Sequence, residues 1–151
     1  MRVGFTGTRE GMSARQAEQL ALVLGWIYSR DLQMIEATVF HFGGADGADM
    51  EAACIALDAD ILPRQIVVHP CPGVTLDKCL TTVGQAASRF AWREVFTPLR
   101  RDRNIVAESE ILIAAPLTDR EIIRSGTWAT VRYARKAGLP IVMLSRGKVE
   151  Q

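Results

Sequence analysis

Cysteine is scarce in this chain: Cys54, Cys71 and Cys79 are all it has, and no CxxC pair occurs among them. An odd number spaced in this way excludes a disulfide framework and argues against a structural zinc site. Aromatic residues make up only 7%, with no stripe of the kind on which single-stranded nucleic acid stacks. Charge of one sign is lacking too. Lys+Arg number 18 and Asp+Glu 17, a net charge of +1, so no bulk attraction to nucleic acid or anionic membrane is expected. Apolar runs end after a few residues, as at 111–116, far short of the roughly 20 that a bilayer needs. No signal-peptide layout opens the chain, because Arg2 precedes a strand-like run that breaks at Gly7. The expectation is a soluble, cytoplasmic protein with no membrane partner.

What is present fits a single domain over residues 1–151. Hydrophobic residues are 48% of the chain and charged ones 23%, ordinary globular values. A chain of 151 residues buries enough of itself to need no staples. The near-neutral total hides a polarity. Residues 31–63 carry seven acids and no Lys or Arg, whereas residues 89–136 carry ten basic residues and six acids. The second stretch either rims a cleft for an anion or forms solvated helix faces.

Five short apolar runs read as strands: residues 3–5, 39–42, 65–69, 111–114 and 141–144. Helical patterns lie between them. Ser13 is a helix N-cap with Gln16 as its capping-box partner. The positions Leu20, Leu22, Val23, Leu24, Trp26 and Ile27 suit a largely buried helix. Further helices are expected over residues 48–57, 101–109 and 127–136, and the irregular stretch 71–96 holds one short helix near 82–90. Residues 145–151 form a short polar tail. Strands alternating with helices imply an α/β fold, a single doubly wound, Rossmann-like parallel sheet of about five strands, with helices on both faces. Right-handed crossovers give the strand order 3-2-1-4-5. Ligands then bind beyond the carboxyl ends of the strands, at the switch of direction.

The unusual residues lie in the loops that this topology singles out. Gly4-Phe5-Thr6-Gly7-Thr8-Arg9 follows the first strand. Glycine lets backbone N–H groups approach an anion, Thr6 and Thr8 add hydroxyls, and Arg9 offers a guanidinium fork. The other reading is a Gly-containing turn with an exposed Arg. The spacing is neither GxGxxG nor a Walker loop, so no ordinary dinucleotide or P-loop site is supported. Gly43-Gly44-Ala45-Asp46-Gly47-Ala48-Asp49 follows the second strand and feeds a helix start, a ready anion site. Asp46 or Asp49 caps that helix or, for Asp49, grips a ligand hydroxyl. Ser125, Gly126 and Thr127 open the last helix, with Ser125 or Thr127 as its cap. Arg103 and Asn104 sit on the helix before the fourth strand, either as a solvated end or at the cleft. Three Gly-rich helix starts at one sheet edge favour phosphate.

Other candidates are weaker. His41 lies within a strand and His69 ends one, both read as core or edge histidines. With Cys71 nearby, His69 belongs to too sparse a set for zinc, so no metal site is expected. Trp26 reads as core, while Trp92 and Trp128 either pack or stack on a base.

Taken together, the Gly4–Arg9 turn, the Gly43–Asp49 turn, Arg103-Asn104 and Ser125-Gly126-Thr127-Trp128-Ala129-Thr130 resemble the SLOG superfamily, above all its small bacterial and phage members. That group includes Lonely-guy phosphoribohydrolases, the DNA-processing protein DprA and molybdenum-cofactor carrier proteins. The resemblance runs over residues 3–144. It implies a nucleotide or nucleotide-derived small molecule as ligand, no further cofactor, and a homo-oligomer, most often a dimer. Lonely-guy enzymes cleave a base from a ribose monophosphate with an Arg, matched by Arg103, and a Glu closing a PGGxGTxxE motif. Gly126-Thr127 match that motif, but Thr130 stands in the Glu position and Arg124-Ser125 replace the glycine pair. A carboxylate is the usual means of steadying an oxocarbenium-like cation, and threonine carries no charge. The expected function is therefore a binding module: a sensor, carrier or sequestering protein. The alternative is an N-glycosidic hydrolase using Arg103 with a relocated acid, Asp46, Asp49 or Glu108. DprA-like DNA binding is disfavoured by the near-neutral charge.

Overall fold

A computed structural model describes residues 1–34 and 37–147, so of the polar tail only residues 145–147 fall within it. Six strands form one parallel sheet in the order β4-β3-β2-β1-β5-β6. They are β1 (Arg2–Gly7), β2 (Val39–Phe42), β3 (Ile66–Val68), β4 (Ala91–Trp92), β5 (Ile111–Ala115) and β6 (Ile141–Met143). The helices are α1 (Ala14–Met34), α2 (Ala48–Asp58), α3 (Leu76–Val83), α4 (Pro98–Glu108) and α5 (Gly126–Lys136). The expected five-strand order is embedded intact; the correction is a sixth strand at the edge. β4 is only two residues long and pairs with Val67 and Val68, so its apolar signal is too brief to stand out from its surroundings. The same stretch places a helix at Leu76–Val83, earlier than expected, and a 3₁₀ turn over Gln85–Arg89.

Alternation along the strands divides the molecule into two layers of packing. Val3, Phe5, Phe40, Phe42, Ile66 and Val68 face α1, α2 and α3, with Leu20, Leu24 and Ile27 buried against them. On the other face Leu112 and Ala114 pack under Val106 of α4 and Trp128, Val131 and Ala134 of α5. Helices α1–α3 thus cover one side and α4–α5 the other, the reversal expected of a doubly wound sheet. It occurs at β1, which pairs with β2 on one side and β5 on the other.

Helix α1 opens as read: Ser13 N–H donates to Gln16 Oε1 at 3.0 Å and Gln16 N–H to Ser13 Oγ at 3.2 Å. Gln16 also donates from Nε2 to the carbonyls of Pro116 and Leu144, so the capping residue ties the helix to the ends of β5 and β6. Leu22 and Trp26, expected in the core, are instead 74% and 61% exposed. The buried residues are Gln16, Leu20, Leu24, Ile27 and Asp31, a stripe at the 3.6-residue period, and Leu22 and Trp26 lie off it. No helix among the described residues is long and apolar enough to cross a membrane, and the three cysteines are unpaired.

Candidate functional site

The loops after β1 and β2 meet the start of α5 around one cleft of about 420 Å³. Thr6, Gly7, Thr8 and Arg9 form one wall, Gly43, Ala45 and Asp49 a second, and Arg124, Ser125, Gly126 and Thr127 a third. Helix α4 closes it with Pro98, Arg101, Asp102 and Ile105, residues spaced i, i+3, i+4 and i+7 on one helical face. Close packing explains several small residues. A Cβ on Gly7 would lie 2.5 Å from that of Ala48. Gly47 adopts φ +83°, and a Cβ there would sit 2.2 Å from the Arg9 carbonyl oxygen. The β1 loop is laid directly on the start of α2 by these contacts, and Ala48 N–H donates to the Thr8 carbonyl at 3.0 Å.

Most of the residues expected at the site come together; five do not. Gly44 and Asp46 line an adjoining recess shared with Arg9, Cys71 and Lys78. Gly4 sits inside β1, where its missing Cβ makes room for Ser109, so the glycine serves helix packing rather than the cleft. Arg103 projects over the Tyr133 ring at 4.8 Å, and Asn104 is likewise absent from the lining. The arginine that α4 brings to the cleft is Arg101, two residues earlier and on the opposite side of the helix. Sequence reasoning placed the cation on the right helix and in the wrong phase. The buried set Arg101, Asp102, Ile105 and Val106 is the apolar-periodic stripe that marks it. Asp102 was missed altogether, as was Arg124 as a cleft residue.

Arg101 is the centre of a buried charge cluster. Its Nε donates to Asp102 Oδ1 at 2.7 Å, and its Nη1 donates to the carbonyls of Gly43 at 2.9 Å and His69 at 3.3 Å. Asp49 accepts from Ala45 N–H at 3.2 Å, so its carboxylate closes the glycine turn and does not cap α2, whose N-cap is Gly47. Burial pushes the Asp49 carboxyl up to about 6, with Arg101 opposing the rise. Burial also holds Asp102 above the usual range although Arg101 touches it.

At the start of α5, Ser125 Oγ accepts from Trp128 N–H at 3.3 Å. The N–H groups of Gly126 and Thr127, in the first turn, have no intrahelical acceptor and carry the positive end of the helix dipole to the cleft. Thr130, at the position where the resemblance would put a catalytic Glu, is fully buried and donates its hydroxyl to the Gly126 carbonyl. Trp128 is buried among core residues, which decides for packing over stacking.

His41 and His69 are buried, as expected of core histidines, and their rings contact one another with Nδ1 and Nε2 2.9 Å apart. Burial lowers each to about 4. Glu108, once a candidate relocated acid, joins them under α4 rather than reaching the cleft.

Among solved structures, the chain is similar to the crystal structure of TM1055, a structural-genomics target, at 16% identity and a TM-score of 0.58, over 93% of this chain and 71% of that one. It is similar as well to the molybdenum cofactor binding protein from the phototrophic bacterium Rippkaea orientalis, at 19% identity and a TM-score of 0.63, over 94% of this chain and 74% of that one. No family model matches the chain, and no curated protein does. At these identities the likeness is one of fold, an α/β fold with a parallel sheet.

Proposed function

We propose that the chain is a binding module, a sensor, carrier or sequestering protein for a phosphorylated nucleotide or nucleotide-derived molecule. The convergence of three separate loops on one cleft at the switch point of the sheet carries this reading. A volume of about 420 Å³ falls within the range of small-ligand pockets, about 300–1,000 Å³. The phosphate faces the free N–H groups of Gly126 and Thr127, flanked by Arg9 and Arg124, and Thr6 and Thr8 add hydroxyls. Arg101 is already engaged by Asp102 and two carbonyls, so it fixes the cleft wall, and Asp49 contacts a ribose hydroxyl. One fold neighbour is a molybdenum cofactor binding protein, which suits a carrier role here. A homodimer in the cytoplasm completes the proposal, with sedimentation of the pure protein as the check on pairing.

A second reading has one observation in its favour. Asp49, with its carboxyl near 6, is poised for general acid–base work, as an N-glycosidic hydrolase of nucleoside monophosphates would need. Incubation of the protein with nucleoside monophosphates and dinucleotides separates the two. A ligand-dependent rise in Tm without released base on chromatography, lost in the Arg9→Ala/Arg124→Ala double variant, supports the binding module. Base release abolished by Asp49→Asn supports the enzyme. No Tm rise and no release across the panel refutes both.

A further inference from the structure

We propose that His41, His69 and Glu108 form a binding site for a divalent cation of the zinc class, beneath α4 and separate from the cleft. His41 Nδ1, His69 Nε2 and one Glu108 oxygen are 2.9, 3.4 and 3.6 Å apart. A triangle with those sides has its centre about 1.9 Å from each corner, close to the zinc–nitrogen and zinc–oxygen bonds of about 2.0–2.2 Å. An ion slightly above that plane meets all three atoms at bonding length, with its open position left to water.

The fold assembles this set from three elements distant in the sequence. His41 lies on β2 with its ring on the face opposite Phe40 and Phe42, toward α4. Its strand neighbour in register is Gly4, whose missing Cβ lets the end of α4 settle on the sheet and brings Glu108 down. His69 follows β3 and is fixed by its N–H to the Phe42 carbonyl at 2.8 Å. The cluster was illegible in the sequence, where His69 had only Cys71 beside it and Glu108 stood on a distant helix.

Protons serve the three atoms poorly. Between two neutral imidazoles only one N–H fits in a 2.9 Å gap, so a single hydrogen faces two lone pairs, those of the accepting nitrogen and of the Glu108 oxygen. A divalent ion satisfies all three atoms. Two features set its affinity. His41 Nε2 has no protein partner among the described residues, and a ligating ring without such a partner binds about 10–100-fold more weakly. Arg93 holds Glu108 through Nε and Nη2 at 3.1–3.2 Å, competing for the carboxylate and repelling a cation. Arg93 therefore acts as the restraint on the site. Because His69 also accepts from Arg101, a bound ion ties α4 to the sheet directly below the cleft.

The test uses chelator-treated full-length protein titrated with Co²⁺, read by the visible bands of tetrahedral cobalt, then displaced with Zn²⁺. The bands appear, zinc removes them, and zinc raises Tm. Glu108→Gln weakens binding at least tenfold and Arg93→Met strengthens it at least tenfold. Both side chains are partly exposed, and circular dichroism checks that both variants fold. No cobalt bands in either the native chain or Arg93→Met overturns the proposal, as does binding that Glu108→Gln leaves unchanged.

Discussion

Replacing Arg101 by methionine keeps an apolar stem and removes the cation on which two buried carboxylates depend. Arg101 and Asp102 are each 7% exposed and Asp49 is 6% exposed, so water cannot take over the solvation. Breaking a buried pair by removing one partner costs about 3–5 kcal/mol. The carbonyls of Gly43 and His69 also lose their donor. At about 2–4 °C per kcal/mol for a domain of this size, the melting temperature falls by about 6–20 °C. The pH dependence identifies the cause. Asp49 in the folded native chain sits near 6 against an ordinary 3.8, so its ionisation costs stability as pH rises across that window, and the cost is constant above it. Without Arg101 the folded-state values of Asp49 and Asp102 rise further. The variant then keeps losing stability above about pH 6, where Asp49 of the native chain has already titrated. The deficit is larger at pH 8 than at pH 5, and Arg101→Lys recovers part of it. Urea unfolding followed by circular dichroism at the two pH values measures this. A deficit below about 1 kcal/mol, or one that grows as pH falls, refutes the charge-cluster account.

The same carboxyl offers a test of the proposed anion site. Sulfate keeps its charge over this range, and protonating Asp49 below about 6 removes a negative charge from the cleft wall. Sulfate should therefore bind about three- to tenfold tighter at pH 5 than at pH 7.5 by calorimetry, and Asp49→Asn should flatten the difference; a steeper pH dependence in that variant would contradict the assignment. The glycines offer a second check. A Cβ on Gly43 would lie 2.3 Å from Arg101 Nη1 and 2.7 Å from its Cζ, so Gly43→Ala should cost about 1–3 kcal/mol. A Cβ on Gly126 meets nothing within 4 Å, so Gly126→Ala should stay within about 0.5 kcal/mol. The reverse order of melting temperatures would show that the turn is not packed as described.

Local chemistry made much of the framework legible. The Ser13–Gln16 box, the helix start at Ser125 and the order of the five longer strands follow from short-range patterns and from the handedness of crossovers. What failed to show was phase and edge pairing. The run Arg100-Arg101-Asp102-Arg103 holds three arginines, and only docking of α4 selects Arg101 for the cleft and leaves Arg103 over Tyr133. Leu22 and Trp26 read as core by composition, but α1 turns them outward. Together with Met1, Val23, Ile111 and Val142 they line an apolar groove on that surface.

By itself, then, the sequence determined the α/β alternation, the doubly wound topology and the three loops that surround the cleft, because each depends on residues close together in the chain. Only the tertiary structure decided which charges share a buried space. Asp49 and Arg101 meet across a glycine turn, and His41, His69 and Glu108 meet beneath a helix. Separations of that length carry no periodic signal, and side chains so placed become neighbours only after the sheet has fixed the helices upon it.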